Sequence, residues 1–207
     1  MKPALIFNLF FLLFSSYLFA QSVSYVPEVM AGHRSYFYTH TIQYQINQRL
    51  KLQNLTLFDS EYKEDNHNIF FIRNTLAYQL NKSFVANIGF GVKNPGKFFT
   101  TSLQYQIVKK DFVFMYGIGA TYQAGWTLEQ SLLLEYTPRL TKDYQALFRI
   151  SAVGNMDKHE YTRGFQHIRL GLKNANIAYG IGVNLEQFNN SWHHLENVGA
   201  FFKVNFK

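Results

Sequence analysis

The stretch Phe112-Val113-Phe114-Met115-Tyr116-Gly117-Ile118-Gly119-Ala120-Thr121-Tyr122 decides the fold. Every second residue gives Phe112, Phe114, Tyr116, Ile118, Ala120 and Tyr122, an unbroken apolar and aromatic row, while Gly117, Gly119, Thr121 and then Gln123 stand between them. Side chains on a strand alternate between faces, so this is a strand with one apolar face and one small or polar face. The pattern returns in Phe84, Ala86, Ile88, Phe90 and Val92, in Ile177, Tyr179, Ile181, Val183 and Leu185, and in Val198, Ala200, Phe202, Val204 and Phe206. Their intervening residues include Asn87, Gly89, Gly91, Gly180, Gly182, Asn184, Glu186, Gly199 and Lys203.

Outward from that core, strands are expected near 35–47, 49–58, 68–80, 83–93, 98–108, 111–123, 126–136, 143–153, 164–173, 176–187 and 195–207. In 49–58 the apolar phase slips between Leu50/Leu52 and Leu55/Leu57, which predicts a bulge near Asn54. Strands of soluble sandwiches average about 5–6 residues, whereas a tilted membrane-crossing strand needs about 9–11. These are of the longer kind, and their second face carries charges that a dry core would not accept. The fold class is therefore all-β, a transmembrane antiparallel up-and-down barrel whose apolar face meets lipid and whose polar face lines the lumen. Connections read as alternately short and long, which places Asp59 to His67 outside the cell and the termini in the periplasm. A periplasmic N-terminus needs one more strand over 22–32, giving twelve. Pro27 cannot donate to a ladder, so ten strands is the alternative.

Composition agrees. The 207 residues are 18% aromatic, yet the mean hydropathy is −0.15, so most of the chain cannot be a bundle of membrane helices. With 47% apolar residues it is not a disordered chain. The absence of cysteine removes disulfide scaffolds, thiolate metal sites and a lipid anchor through an N-terminal Cys. Met1-Lys2 followed by the apolar run Ala4 to Leu18 reads as a signal peptide over residues 1–20 with cleavage after Ala20, leaving 21–207 as one barrel domain. The net charge of +7 does not imply nucleic acid: Lys82, Lys109, Lys110, Lys142 and Lys173 are scattered over turns, with no continuous basic face.

The export segment ending Phe19-Ala20-Gln21, the dyad repeat and the last strand Gly199 to Lys207 resemble the small, mostly uncharacterised outer-membrane β-barrels of Bacteroidota-type bacteria. The resemblance implies location in the outer membrane of a Gram-negative envelope, among lipid and lipopolysaccharide. It also implies insertion by the barrel-assembly machinery, which reads a terminal aromatic, here Phe206. It implies no activity.

Among chemistry-bearing residues, Arg73, Glu129, Glu135, Arg149, His167, Arg169, Glu186 and Lys203 fall on the lumenal face and are expected to form a paired charge network. Lumenal glycines and inward Phe71, Phe99, Met115, Phe165 and Phe201 point to a filled or constricted interior. His33 and Ser35 have the His-x-Ser spacing of outer-membrane lipid hydrolases, in which imidazole takes the hydroxyl proton, but no orienting carboxylate accompanies them. His193, His194 and Glu196, with His159-Glu160 nearby in kind, form a weak metal candidate because adjacent strand residues point to opposite sides. No cofactor is implied. The resulting reading is a non-enzymatic barrel acting as a narrow, porin-like channel or as a partner in an envelope complex. A lipid A or phospholipid deacylase using His33/Ser35 and a soluble lipocalin-like binder are the alternatives.

Overall fold

The structure is a computed structural model that describes residues 22–63, 68–188 and 194–206. Residues 1–20, read from the sequence as a signal peptide, therefore lie outside the described residues. Twelve strands follow one another: β1 (Val23–Gly32), β2 (Ser35–Gln45), β3 (Leu50–Glu61), β4 (Ile69–Gln79), β5 (Phe84–Lys93), β6 (Gly96–Val108), β7 (Phe112–Tyr122), β8 (Trp126–Tyr136), β9 (Tyr144–Met156), β10 (Tyr161–Asn174), β11 (Ile177–Phe188) and β12 (His194–Val204). Each pairs antiparallel with its sequence neighbours, and β1 pairs with β12, closing the barrel. Closure matters energetically because an open edge in hydrocarbon would strand unpaired backbone donors and acceptors.

The twelve-strand count holds despite Pro27. Tyr25 N–H donates to Phe206 O, so the two-residue alternation turns the Pro27 nitrogen to the same β12 edge. There the ladder is interrupted, between Glu28↔Lys203 and the isolated Tyr25↔Phe206 bridge. Proline thus occupies a place where no donor is required.

Alternation sorts the faces as expected. Ile88, Phe90, Ile118, Tyr122, Ile181 and Phe202 stand uncovered on the outside, a continuous apolar and aromatic belt. Water would not tolerate such a belt on a monomer, so the soluble-binder reading fails; this is a membrane-spanning, outer-membrane type of barrel.

Three expectations change. No bulge forms at Asn54: the β3 ladders run without a register shift from Ser35↔Glu61 to Gln45↔Lys51 and from Leu50↔Tyr78 to Asp59↔Ile69. The strand stays straight, Leu55 and Leu57 turn into the lumen, and polar Asn54 and Thr56 face outward. They satisfy one another there: Thr56 Oγ1 donates to Asn54 Oδ1 at 3.0 Å, and Asn54 Nδ2 donates to Asn74 Oδ1 at 3.0 Å. Second, of the pair Phe98-Phe99 it is Phe98 that is buried in the lumen, while Phe99 pairs with Phe90 and Tyr122 on the outer belt. Third, loop length does not distinguish the two ends. Connections 46–49, 80–83, 109–111, 137–143 and 175–176 lie at the end carrying both termini, and 33–34, 94–95, 123–125 and 157–160 at the far end; the β3–β4 and β11–β12 connections run through residues outside the described ones.

Candidate functional site

The lumen is the site. Its lower half, toward the termini, is organised by Glu28. Arg149 and Arg169 sit directly opposite each other on β9 and β10, a like-charge pair that would repel if left alone. Glu28 enters from β1 and meets both, with Arg169 Nε donating to Oε1 at 2.7 Å and Arg149 Nη1 to Oε2 at 3.2 Å. Glu135 continues the chain, 3.8 Å from Arg149 and 4.0 Å from Lys203.

Arg169 is only 2% exposed. Its Nη1 donates to Asn184 Oδ1 at 2.8 Å and to Ile168 O at 2.9 Å, and its guanidinium stands 5.6 Å from the ring centres of both Phe37 and Phe201. Around it Met30, Phe37, Leu147, Ala178, Phe201 and Leu57 pack into an apolar plug inside the barrel. Glycine makes this possible: a Cβ on Gly182 would press on Met30 Sδ and come within 3.1 Å of Arg169 Nη1. Gly91 likewise leaves room for the Phe98 ring, and Gly89 for Thr100. These three glycines are thus space for inward side chains, whereas a Cβ on Gly171, Gly180 or Gly199 would meet the backbone of the neighbouring strand.

At the far end Arg73 Nη1 donates to Glu129 Oε1 at 3.2 Å, and Glu129 Oε2 accepts from Thr121 Oγ1 at 2.8 Å and Asn155 Nδ2 at 3.3 Å. A second cluster joins Arg34 to Asp59 at 3.1 Å and to Glu61. Glu186, 1% exposed, lies against Asp59 with Arg34 and Arg163 in electrostatic reach.

The eight residues expected to form one network therefore divide. Arg149, Arg169, Glu135 and Lys203 come together through Glu28, Arg73 pairs with Glu129, and Glu186 joins the Arg34 cluster. His167 joins no ion pair among those described; its ring packs edge-on against Phe37 at 4.9 Å, beside the plug. Sequence reasoning missed Glu28, Arg34, Asp59, Asn184 and Asn197. For Glu28 a signal existed, since Val29 and Ala31 continue the outward phase, but the neighbouring proline hid it.

The hydrolase pair is not assembled. Ser35 is wholly buried, and its hydroxyl accepts from Asn197 Nδ2 at 2.7 Å. His33 lies in the bend before β2, where its Nδ1 accepts the Val198 N–H at 3.0 Å. Two residues apart place side chains on one face only within a strand, and this chain turns there. Asn197 also donates to Ser35 O at 3.1 Å and accepts from Arg34 N–H at 3.0 Å, clamping the β1–β2 turn to β12. We expect Asn197→Ala to lower stability by about 2–3 kcal/mol, because it deletes several bonds and leaves buried partners unmet; urea unfolding in lipid vesicles measures it.

For the metal candidate, His193 lies outside the described residues and His194 is placed only as a backbone partner of Gln187. No group of three His, Cys, Asp or Glu suited to a metal occurs among the described residues. In the 157–160 turn, the backbone N–H groups of His159 and Glu160 donate to Asp157 Oδ1 at 2.7 and 2.9 Å and hold that carboxylate below the usual range.

No family model and no curated protein matches the chain. Solved structures do. The NanC porin superposes with a TM-score of 0.56 at 10% identity, covering 90% of this chain and 100% of its own. The KdgM porin in complex with disordered oligogalacturonate gives 0.52 at 13% identity, covering 91% and 100%. At such identities the likeness concerns the fold, and it is the fold of outer-membrane porin barrels.

Proposed function

We propose that the chain forms a narrow, non-enzymatic outer-membrane channel that favours small anions. The observation that carries this reading is the unequal exposure of the lumenal ion pairs. The Arg73 side chain is 23% exposed against 11% for Glu129, and Arg149 is 25% exposed against 5% for Glu28. In these pairs the cation faces the lumen water while its carboxylate stands behind it, as Arg34 does at 15% against 1% for Asp59. Lys203 and Glu135 are about equally exposed and Arg169 is buried, so the positive field comes from Arg73, Arg149 and Arg34, focused by a low-dielectric wall.

The shape agrees. The plug occupies the flank of β1–β3 and β9–β12, whereas the flank of β4–β8 presents, between the stacked Phe71 and Phe98 on one side and inward Met115 and Leu133 on the other, the short residues Thr75, Asn87, Ser102 and Ser131, all only half-buried. Twelve strands leave a lumen narrower than that of the 16–18-stranded porins, so one packed flank confines passage to the other. Delivery to the membrane belongs to the same proposal. Phe206 stacks on Tyr25 at the β1–β12 seam, 5.9 Å between ring centres, where a terminal aromatic could be read during insertion.

In a planar bilayer with a KCl gradient, the reversal potential should show chloride preference. Arg73→Glu together with Arg149→Glu should shift it several-fold toward potassium. Silent bilayers from correctly folded protein would remove the channel reading, and an unshifted reversal potential would remove the anion preference.

A further inference from the structure

The outer belt carries one polar island. His40 on β2, Asn54 and Thr56 on β3 and Asn74 on β4 all belong to the outward-facing rows, and the ladders set them side by side, with His40 across from Thr56 and Asn54 across from Asn74. His40 and Asn74 are each the sixth of eleven residues in their strands, and Asn54 and Thr56 bracket the middle of β3. In a strand long enough to cross the membrane, mid-length is mid-membrane. Four polar side chains therefore stand together at the depth where an unpaired polar group costs most. Phe58 and Phe70 close the island on one side, and Leu52 and Leu76 on the other.

Elsewhere near mid-strand the outward polar groups stand singly. Thr101 lies between Ile88 and Ala120, Gln166 lies between Ala152 and Leu185, and Gln130 accepts the Tyr116 hydroxyl. The island is also only partly satisfied from within. Thr56 and Asn54 spend their bonds on Asn54 and Asn74, and the Tyr38 hydroxyl shares hydrogen bonds with His40 Nδ1 at 2.9 Å and the Tyr25 hydroxyl at 3.0 Å. Asn74 Nδ2 and His40 Nε2 are left without a hydrogen-bond partner among the described residues. Acyl chains offer neither donor nor acceptor, and headgroups lie at the strand ends. Between proteins in lipid, apolar surface gains little by leaving hydrocarbon, so hydrogen bonds between polar side chains are what hold spans together.

We infer that the outer face of β2–β4 is a contact through which two copies of the chain pair side by side in the membrane, with Asn74 and His40 of each copy reaching the island of the other. The composition of the island selects a second copy as the occupant. It holds no carboxylate, Lys or Arg, so it calls for no partner of opposite charge. Its amides, hydroxyl and imidazole both donate and accept, so the same patch turned by a two-fold axis matches it. The inference goes beyond the channel reading and does not rest on it, since each barrel keeps its own lumen.

The chain contains no cysteine, so single cysteines report the contact without background. Phe58→Cys, Ile72→Cys and Leu76→Cys border the island, whereas Ile150→Cys stands outward on β9, six strands round the barrel from β3. Under oxidation in the outer membrane of a Gram-negative host, at least one of the first three should give a disulfide-linked product with the mass of two chains, and Ile150→Cys should remain monomeric. Asn54→Leu with Asn74→Leu, added to the linking variant, should cut that product about tenfold, the size of two hydrogen bonds between spans. Heat-modifiable gel mobility confirms that each variant is folded. Folded protein that links from none of the three positions, or that links equally from Ile150→Cys, would overturn the inference and leave the island facing lipid. A product with the mass of this chain plus a different protein would overturn it in favour of another envelope partner. Folded double-leucine protein that links like its parent would overturn it as well.

Discussion

Glu28→Ala should cost the barrel about 3–5 kcal/mol of stability, the range for removing one partner of a buried ion pair. The reason lies less in the lost attraction than in what stays behind. Arg169 remains enclosed between Phe37 and Phe201 with no carboxylate, and Arg149 remains opposite it with nothing to separate two positive charges. Glu28 also sits where β1 meets β12, in register with Lys203, so its loss loosens the ladder that closes the barrel. Urea titration in lipid vesicles, followed by intrinsic fluorescence, should show an earlier midpoint, and the heat-modifiable band should convert at lower temperature. A cycle sharpens the argument. Glu28→Leu combined with Arg169→Met should be less destabilising than Glu28→Leu alone, because the apolar pair leaves no uncompensated charge at that position. If Glu28→Ala unfolds as wild type does, the ion cluster is a bystander to closure.

That residue also shows where sequence reading stops. The belt was legible because lipid imposes one rule on every strand, and a row such as Phe112, Phe114, Tyr116, Ile118 has a single interpretation. The lumen imposes no such rule. There a side chain is chosen by what crosses from another strand, and Glu28, Arg149 and Glu135 come from β1, β9 and β8, related only by closure. Hence charged residues could be assigned to the inner face but not to their partners. The double phenylalanine at 98 and 99 left the inner face ambiguous by one residue. The Asn54 region misled for a different reason: a phase slip in apolar residues is mimicked by a straight strand whose outward polar groups bond to each other, a cross-strand pairing that one strand's sequence does not reveal. Asn197 and Ser35 were opaque for the same reason, since a clamp between the first turn and the last strand spans almost the whole chain.

If the proposed passage runs along the β4–β8 flank and not through the plug, a pair of results with opposite signs is expected. Ser102 on β6 is half-buried and inward, directly across from Gly119 and beside Asn87, among the short residues of the β4–β8 flank. Ser102→Phe adds a ring where the neighbours are too short to be displaced, and single-channel conductance should fall several-fold with little change in stability. Phe201→Ala removes a ring from the plug on the other flank, beside Arg169 and Met30. It should cost about 3–5 kcal/mol, as large apolar deletions do, because the interior is packed there. Conductance should rise only modestly, because Arg169 stays anchored by Glu28 and Asn184 and still bars that flank. Combining Phe201→Ala with Ser102→Phe should then give low conductance, since the emptied plug does not substitute for the closed passage. A double variant that conducts as well as wild type would show that ions travel along the plug, and would assign the pore to the flank that the packing here closes.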